Sequence, residues 1–156
     1  MKKLYPILII CFGLLQAGCS KDILKSYDKR IHGSWKIIDV DKFGIGGSIS
    51  SLAFKEGSFV FRDDGKLEYT NIGGEKYSGS WNVRKKRLTG RCSTNENGSR
   101  NCDDKTVQSL GLTAVNFTTQ EVKSEFFDDL QFTSTNRFKA FIYSGTQTYV
   151  FRFLRL

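Results

Sequence analysis

Proline, histidine and methionine each stand at one residue in this 156-residue chain, and tryptophan at two. The lone His32, bordered by Ile31 and Gly33, excludes a multi-histidine metal site and reads as a boundary residue. No CxxC pair is present, which removes the thiol redox motif. Neither G-x-S-x-G, HExxH nor a phosphate-cradling glycine loop occurs, so no enzyme signature stands out and neither an enzyme nor a cofactor is expected. Asp63-Asp64 and Asp128-Asp129 are carboxylate pairs in sequence only. Adjacent strand residues face opposite ways, and both pairs read as turns. What is plentiful is phenylalanine, at 13 residues, and glycine, at 15. That mix suits short strands joined by turns and argues against helices or disorder.

The first residues read as an export signal. Lys2 and Lys3 give a positive start, and Leu4 to Leu15 is an apolar run broken only by Pro6 and Gly13. The run is too short to span a bilayer, which takes about 20 apolar residues. Small residues follow in Gln16-Ala17-Gly18-Cys19, as at a cleavage point. Ala17-Gly18 before Cys19 resembles the lipobox read by lipoprotein signal peptidase, with Gln16 standing where that motif usually has Leu. The resemblance implies lipidation of Cys19 by a diacylglyceride thioether and an amide-linked acyl chain such as palmitate. More than one chain is what stable anchoring requires. Ser20 follows, where Asp would suggest inner-membrane retention, so an outer-membrane lipoprotein is expected. Its orientation is open between the periplasmic face and the cell surface.

The chain thus divides into a signal peptide over 1–18, a lipidated tether over 19–30 and one domain over 31–156. The formal net charge is +8, and loss of Lys2 and Lys3 leaves +6. An exported location argues against nucleic acid as the partner of that charge. Membrane headgroups are the anionic neighbours, and solubility alone is the plainer reading. The cluster Arg84-Lys85-Lys86-Arg87 falls where a hairpin turn is expected and reads as a solvated tip. With Cys11 removed and Cys19 lipidated, Cys92 and Cys102 remain. In an oxidising compartment this pair reads as a disulfide. Closing the polar loop between them would stabilise the fold by about 3 kcal/mol on the chain-entropy view.

Ile23, Leu24, Tyr27 and Ile31 recur at helical spacing and predict one or two helical turns. Strand patterns then follow at 33–40, 58–62, 66–70, 76–83 and 87–90, with Asp63-Asp64-Gly65 as a tight turn. The stretch from Gly44 to Ser51 reads as a loop or lid. Further strands are expected over 112–118, over 122–127 and 130–135 as a pair around Asp128-Asp129, and in a final hairpin of 137–143 and 147–154. Hairpins at this spacing predict an all-β antiparallel sandwich or barrel. A last strand running almost to the final residue fits a closed sheet.

Gly33-Ser34-Trp35, just after the short helical turn, resembles the G-x-W opening of the lipocalins. Phe59 to Leu67, followed by Tyr77-Ser78-Gly79-Ser80-Trp81, is similar to the bacterial lipocalin-like lipoproteins. The resemblance covers residues 31 to 90 by motif, and no T-D-Y stretch is present. It implies a single up-and-down lipocalin-like β-barrel of about eight strands. It also implies that Trp35 packs at the closed end, under an Arg from the last strand. Arg152 or Arg155 matches that position, and a guanidinium there would stack on the indole. Tyr69, Tyr77, Trp81 and Tyr149 are the expected lining of any pocket. The expected function is a membrane-anchored barrel holding a small hydrophobic ligand. The alternative is a structural or interaction lipoprotein whose barrel is filled by its own side chains and which contacts another envelope protein.

Overall fold

The computed structural model describes residues 25–90, 92–94, 100–102 and 104–156. The expected signal segment, Cys19, Ile23 and Leu24 lie outside them. The fold is all-β. One short helix, α1 (Tyr27–Ile31), precedes eleven strands. These are β1 (Gly33–Phe43), β2 (Ser58–Phe61), β3 (Lys66–Thr70), β4 (Lys76–Leu88), β5 (Cys92–Thr94) and β6 (Arg100–Cys102). Then come β7 (Lys105–Val115), β8 (Val122–Phe127), β9 (Asp129–Ser134), β10 (Arg137–Ser144) and β11 (Gln147–Arg155). In α1, Tyr27 and Ile31 are one turn apart and turn toward the sheet, while Asp28 and Lys29 stay exposed. Gly33 then begins the first strand.

Nine strands form one antiparallel sheet in the order β8-β7-β4-β3-β2-β1-β11-β10-β9, and β5-β6 is a separate hairpin between β4 and β7. Every sequence neighbour within the nine is paired except β8 and β9, and the last strand closes back on the first. The sheet is therefore not closed into a barrel by a hydrogen-bonded ladder. Nine alternating strands leave both edges pointing the same way, so an antiparallel closure is impossible. Instead β8 runs straight into β9 with only Asp128 between them. The expected hairpin around Asp128-Asp129 does not form. Asp128 donates its N–H to Phe141 O at 2.7 Å, and its carboxylate receives the Tyr143 N–H at 2.8 Å and the Lys86 ammonium. Those contacts tie the Asp to β10 and β4, so it serves as a junction and no turn is needed.

One face of the sheet is the core. The alternating residues Phe59, Phe61, Leu67, Tyr69, Tyr77 and Trp81 point inward, as do Leu110, Leu112, Phe127, Phe151 and Phe153. Burying a side chain of this size stabilises by about 1.5–3 kcal/mol. The period-two pattern of β11 is thus realised: Phe151 and Phe153 pack inside, while Arg152 faces out against Asp39 and Asp41. Ile38 is an extra residue in β1, between the pairs Ile37↔Phe153 and Asp39↔Arg152. The bulge sends both Ile38 and Asp39 outward.

The basic run is not a hairpin tip. Arg84-Lys85-Lys86-Arg87 lies within β4 and pairs with Ser109-Gln108-Val107-Thr106 of β7. The run holds no Gly, Pro, Asn or Asp to reverse the chain. Lys86 is instead paired with Asp128, and Arg87 with Asp104. The chain reverses further on, through the β5-β6 hairpin, where Cys92 stands directly opposite Cys102 in the ladder.

Candidate functional site

At one end of the sheet, Trp35 is completely buried. Its indole donates to Ile31 O at 2.6 Å, which fastens α1 across that end. Phe138 meets the ring edge-on at 4.7 Å and stacks in turn on Phe153 at 4.2 Å. Arg155, the direct cross-strand partner of Trp35, holds its guanidinium 4.3 Å from the indole. It donates to His32 O and Arg30 O, both at 2.7 Å. Arg155 and not Arg152 is thus the arginine over Trp35. The physical reason is strand alternation: position 155 shares the inward face with 151 and 153, whereas 152 points to the outside. Gly33 makes room for it. Its φ is +109°, and a Cβ there would sit 2.8 Å from the Arg155 guanidinium.

The other end is covered by the connection from Gly44 to Gly57. It contains a single 3-10 turn, Ile49–Ser51. Lys42 donates to Gly46 O and Gly47 O, and Thr146 donates to Ile45 O. The loop then inserts Phe54, which is wholly buried, edge-on against Tyr69 at 4.9 Å and Phe59 at 5.5 Å. Ala53 N–H is received by the Glu125 carboxylate at 3.1 Å. Glu125 projects inward from β8 beside Leu112, and burial lifts its carboxyl above the ordinary range. Gly47 has φ +59°, and a Cβ there would lie 2.3 Å from the Tyr149 hydroxyl. The loop therefore needs glycine at that point to lie this close.

The four expected pocket residues all come together inside, and each is already engaged. Tyr69 is 3% exposed and donates to Glu56 O at 2.8 Å. Burial lifts its phenol to about 12, with Glu56 adding to the shift. Tyr77 is 1% exposed and donates to Glu121 at 2.6 Å and Glu75 at 3.2 Å. The Glu121 hydrogen bond, then burial, pushes its phenol well above the usual tyrosine range. Lys123 donates to Glu121 at 2.7 Å and holds that carboxyl below its ordinary value, with Tyr77 helping. Trp81 donates to Arg62 O at 3.1 Å, and Tyr149 donates to Gln147 at 2.8 Å. Both tyrosines of the Tyr69–Tyr77 pair thus act as hydrogen-bond donors.

Other residues singled out in the sequence lie elsewhere. His32 stands 3.5 Å from Asp63 and edge-on to Trp81. Asp64 caps the β2-β3 turn by receiving Lys66 N–H at 3.1 Å. Among the described residues, no group of three His, Cys, Asp or Glu is arranged to hold a metal ion. No helix among them is long and apolar enough to cross a membrane. On the outside, a groove of about 650 Å³ opens where β2 ends short of β1, and Ile38, Ile72 and Leu156 are among its lining.

Sequence reasoning did not single out Phe54, Glu121 or Glu125. Phe54 sits in a loop without alternation. The two carboxylates carry no motif: Glu125 matters because β8 turns it inward, and Glu121, exposed just before that strand, because it receives the Tyr77 hydroxyl. No protein-family model matches the chain, and neither a curated protein nor a solved structure is detectably similar to it.

Proposed function

We propose that the chain is an envelope lipoprotein, anchored through Cys19, whose lipocalin-like barrel is filled by its own side chains and acts through its outer surface. This is the non-enzymatic interaction or structural reading. The observation that carries it is the state of the four amphipathic residues. Tyr69, Tyr77, Trp81 and Tyr149 are nearly inaccessible, Tyr69 packs against the Tyr77 ring and Trp81 edge-on against Phe61, and each of the four has its polar atom hydrogen-bonded within the chain. A ligand taken up among them would have to break those bonds, and an unmet buried donor costs about 1–3 kcal/mol. Anchoring is supported by the signal and by Cys19 in sequence. Cys92 and Cys102, directly opposed in the β5-β6 ladder, are the expected disulfide of the same exported setting.

A second reading, a barrel holding a small hydrophobic ligand, is favoured by one feature. The segment that seals the interior is a glycine-rich loop and not a strand, and Phe54 fills the space beneath it. Native mass spectrometry of the processed protein, purified from its host's envelope with a high-salt wash, separates the two. The filled barrel is expected to give a clean apo mass and no thermal stabilisation by a panel of fatty acids. A stoichiometric apolar molecule that survives the wash would overturn it in favour of the ligand reading.

A further inference from the structure

A groove of about 250 Å³ crosses the outer face of β4, β7 and β8. Two cross-strand rows form it. Ser80, Thr113 and Ser124 stand opposite one another in the first, and Asn82, Gly111 and Phe126 in the second. Arg84 continues the outward face of β4. Glu125 also borders the groove, but its carboxylate is turned inward to the Ala53 N–H. Gly111 is the residue that makes the groove. A glycine inside a strand weakens it, and it marks a bulge or a place where another group comes close. The β4-β7 and β7-β8 ladders run through Gly111 without a register shift, and its φ lies outside the left-handed region. The neighbouring backbone does not demand it either. A Cβ at Gly79 would lie 1.9 Å from Thr113 O, whereas the nearest atom to one at Gly111 would be Asn82 Oδ1, the end of a side chain, at 3.2 Å. What the missing side chain provides is space between the Asn82 amide and the Phe126 ring. The groups around that space are open. Phe126 is 46% exposed. Among the described residues, the side chains of Ser80, Asn82 and Arg84 form no hydrogen bond or ion pair, whereas Lys86 and Arg87 of the same strand are paired with aspartates.

We propose that this groove binds a saccharide, with the C–H face of a sugar ring lying over Gly111 against Phe126 and its hydroxyls bonded to Asn82 and Arg84. The chemistry of the three side chains selects that class. A primary amide carries a donor and an acceptor side by side, and so meets two neighbouring hydroxyls. A guanidinium offers a fork of donors to a hydroxyl pair or to the carboxylate of a sugar acid. An aromatic ring supplies the flat apolar surface that the C–H face requires. A wholly apolar ligand would strip water from the amide and the guanidinium without replacing it. From Ser80 to Arg84 the outward face of β4 extends about 14 Å, which suits a short oligosaccharide. The inference rests on the outer-surface reading and names the class of ligand that this surface takes.

The test uses the full chain in micelles of a sugar-free detergent, with chitotetraose, cellotetraose, maltotetraose and tetragalacturonate as probes. Binding is read by saturation-transfer difference NMR and affinity by titration calorimetry. At least one probe is expected to bind, with the strongest saturation on its ring C–H protons. Asn82→Ala should weaken that binding about tenfold, the loss of a pair of hydrogen bonds. Phe126→Ala should weaken it by about as much, through the lost ring contact. Gly111→Val is the sharper variant. Valine suits a strand, so the melting temperature should stay or rise, while the filled groove should no longer bind. Lys139→Ala, on the outer face of β10, should bind as the unaltered chain does. Failure of all four probes to bind, or unchanged affinity in Gly111→Val, would overturn the site. The outer-surface reading fails by a different result, a stoichiometric apolar molecule in the native mass spectrum of the same preparation. A spectrum without one, together with no saccharide binding, overturns the site alone.

Discussion

The two ends of the sheet are both stoppered by an aromatic side chain, but by different means. Trp35 belongs to a strand, and its cover, Arg155, stands directly across the β1-β11 ladder. Phe54 belongs to a loop, which is held by Ala53 N–H donating to Glu125, by Tyr69 donating to Glu56 O, and by Lys42 donating to Gly46 O and Gly47 O. A strand-built seal is fixed by register, because slipping it by one residue would turn every side chain of the strand. A loop-built seal is fixed only by local contacts. It is the part of such a core that can open while the rest stays folded.

Breaking the strand-built end should cost most. Trp35→Ala is expected to lose about 4 kcal/mol of folding stability in urea denaturation, in the range for removing a buried large aromatic. Phe54→Ala should cost less, about 3 kcal/mol, because a loop collapses into the vacated space more readily than a strand. It should also admit an environment-sensitive dye such as anilinonaphthalene sulfonate, with the circular dichroism of the sheet unchanged. Equal losses and no dye uptake would erase the distinction between the two ends.

Alkali should attack the loop-covered end. The Tyr69 phenol is raised to about 12 in the folded protein, against about 10 for the unfolded chain. A raised acid favours the folded state fully below pH 10, and that contribution disappears as pH climbs from 10 to 12. Stability measured by denaturant midpoint should therefore hold to about pH 10 and then fall. Tyr69→Phe should flatten part of the decline.

Two glycines with the same φ of +59° isolate the contact from the backbone. Gly145→Ala meets no atom within 4 Å, so it carries backbone strain alone, about 1 kcal/mol. Gly47→Ala adds a collision with Gln147 and the Tyr149 hydroxyl, and should cost about 1 kcal/mol more through their lost hydrogen bond. Smallest of all is Arg152→Ala. Its pairs with Asp39 and Asp41 lie on the outer face, and their loss should change stability by less than about 1 kcal/mol.

Much of the sheet is legible in the sequence because its strands obey the period of two. Lys66–Thr70 and the last hairpin are read within a residue or so, since Leu67 and Tyr69 alternate with Lys66, Glu68 and Thr70, and Tyr149, Phe151 and Phe153 put their rings on one face of the last strand. Three features are not legible. Arg84-Lys85-Lys86-Arg87 looks like a surface turn, because charge alone does not tell a ladder with satisfied cations from a tip. The Asp128-Asp129 pair looks like a hairpin, and only the odd number of strands shows that it must be a junction. Phe54 is hidden in a segment rich in Gly and Ser. At the site, Trp35 is readable from its motif. The choice between Arg155 and Arg152 follows from alternation, once the last strand's inward face is known.

The pairing of β11 with β1 also has a bearing on the order of events in the life of the chain. β1 lies near the start of the domain, yet one of its two neighbours is the last nine-residue strand. Until that strand exists and is free to dock, β1 and β10 each lack one of their two partners, and the longest loop in the fold stays unclosed. Closing it is the slow, entropy-limited step expected of non-local strand pairing. The two halves of the sheet are thus joined only once the last strand is in place, and synthesis of the first ten strands leaves the fold open.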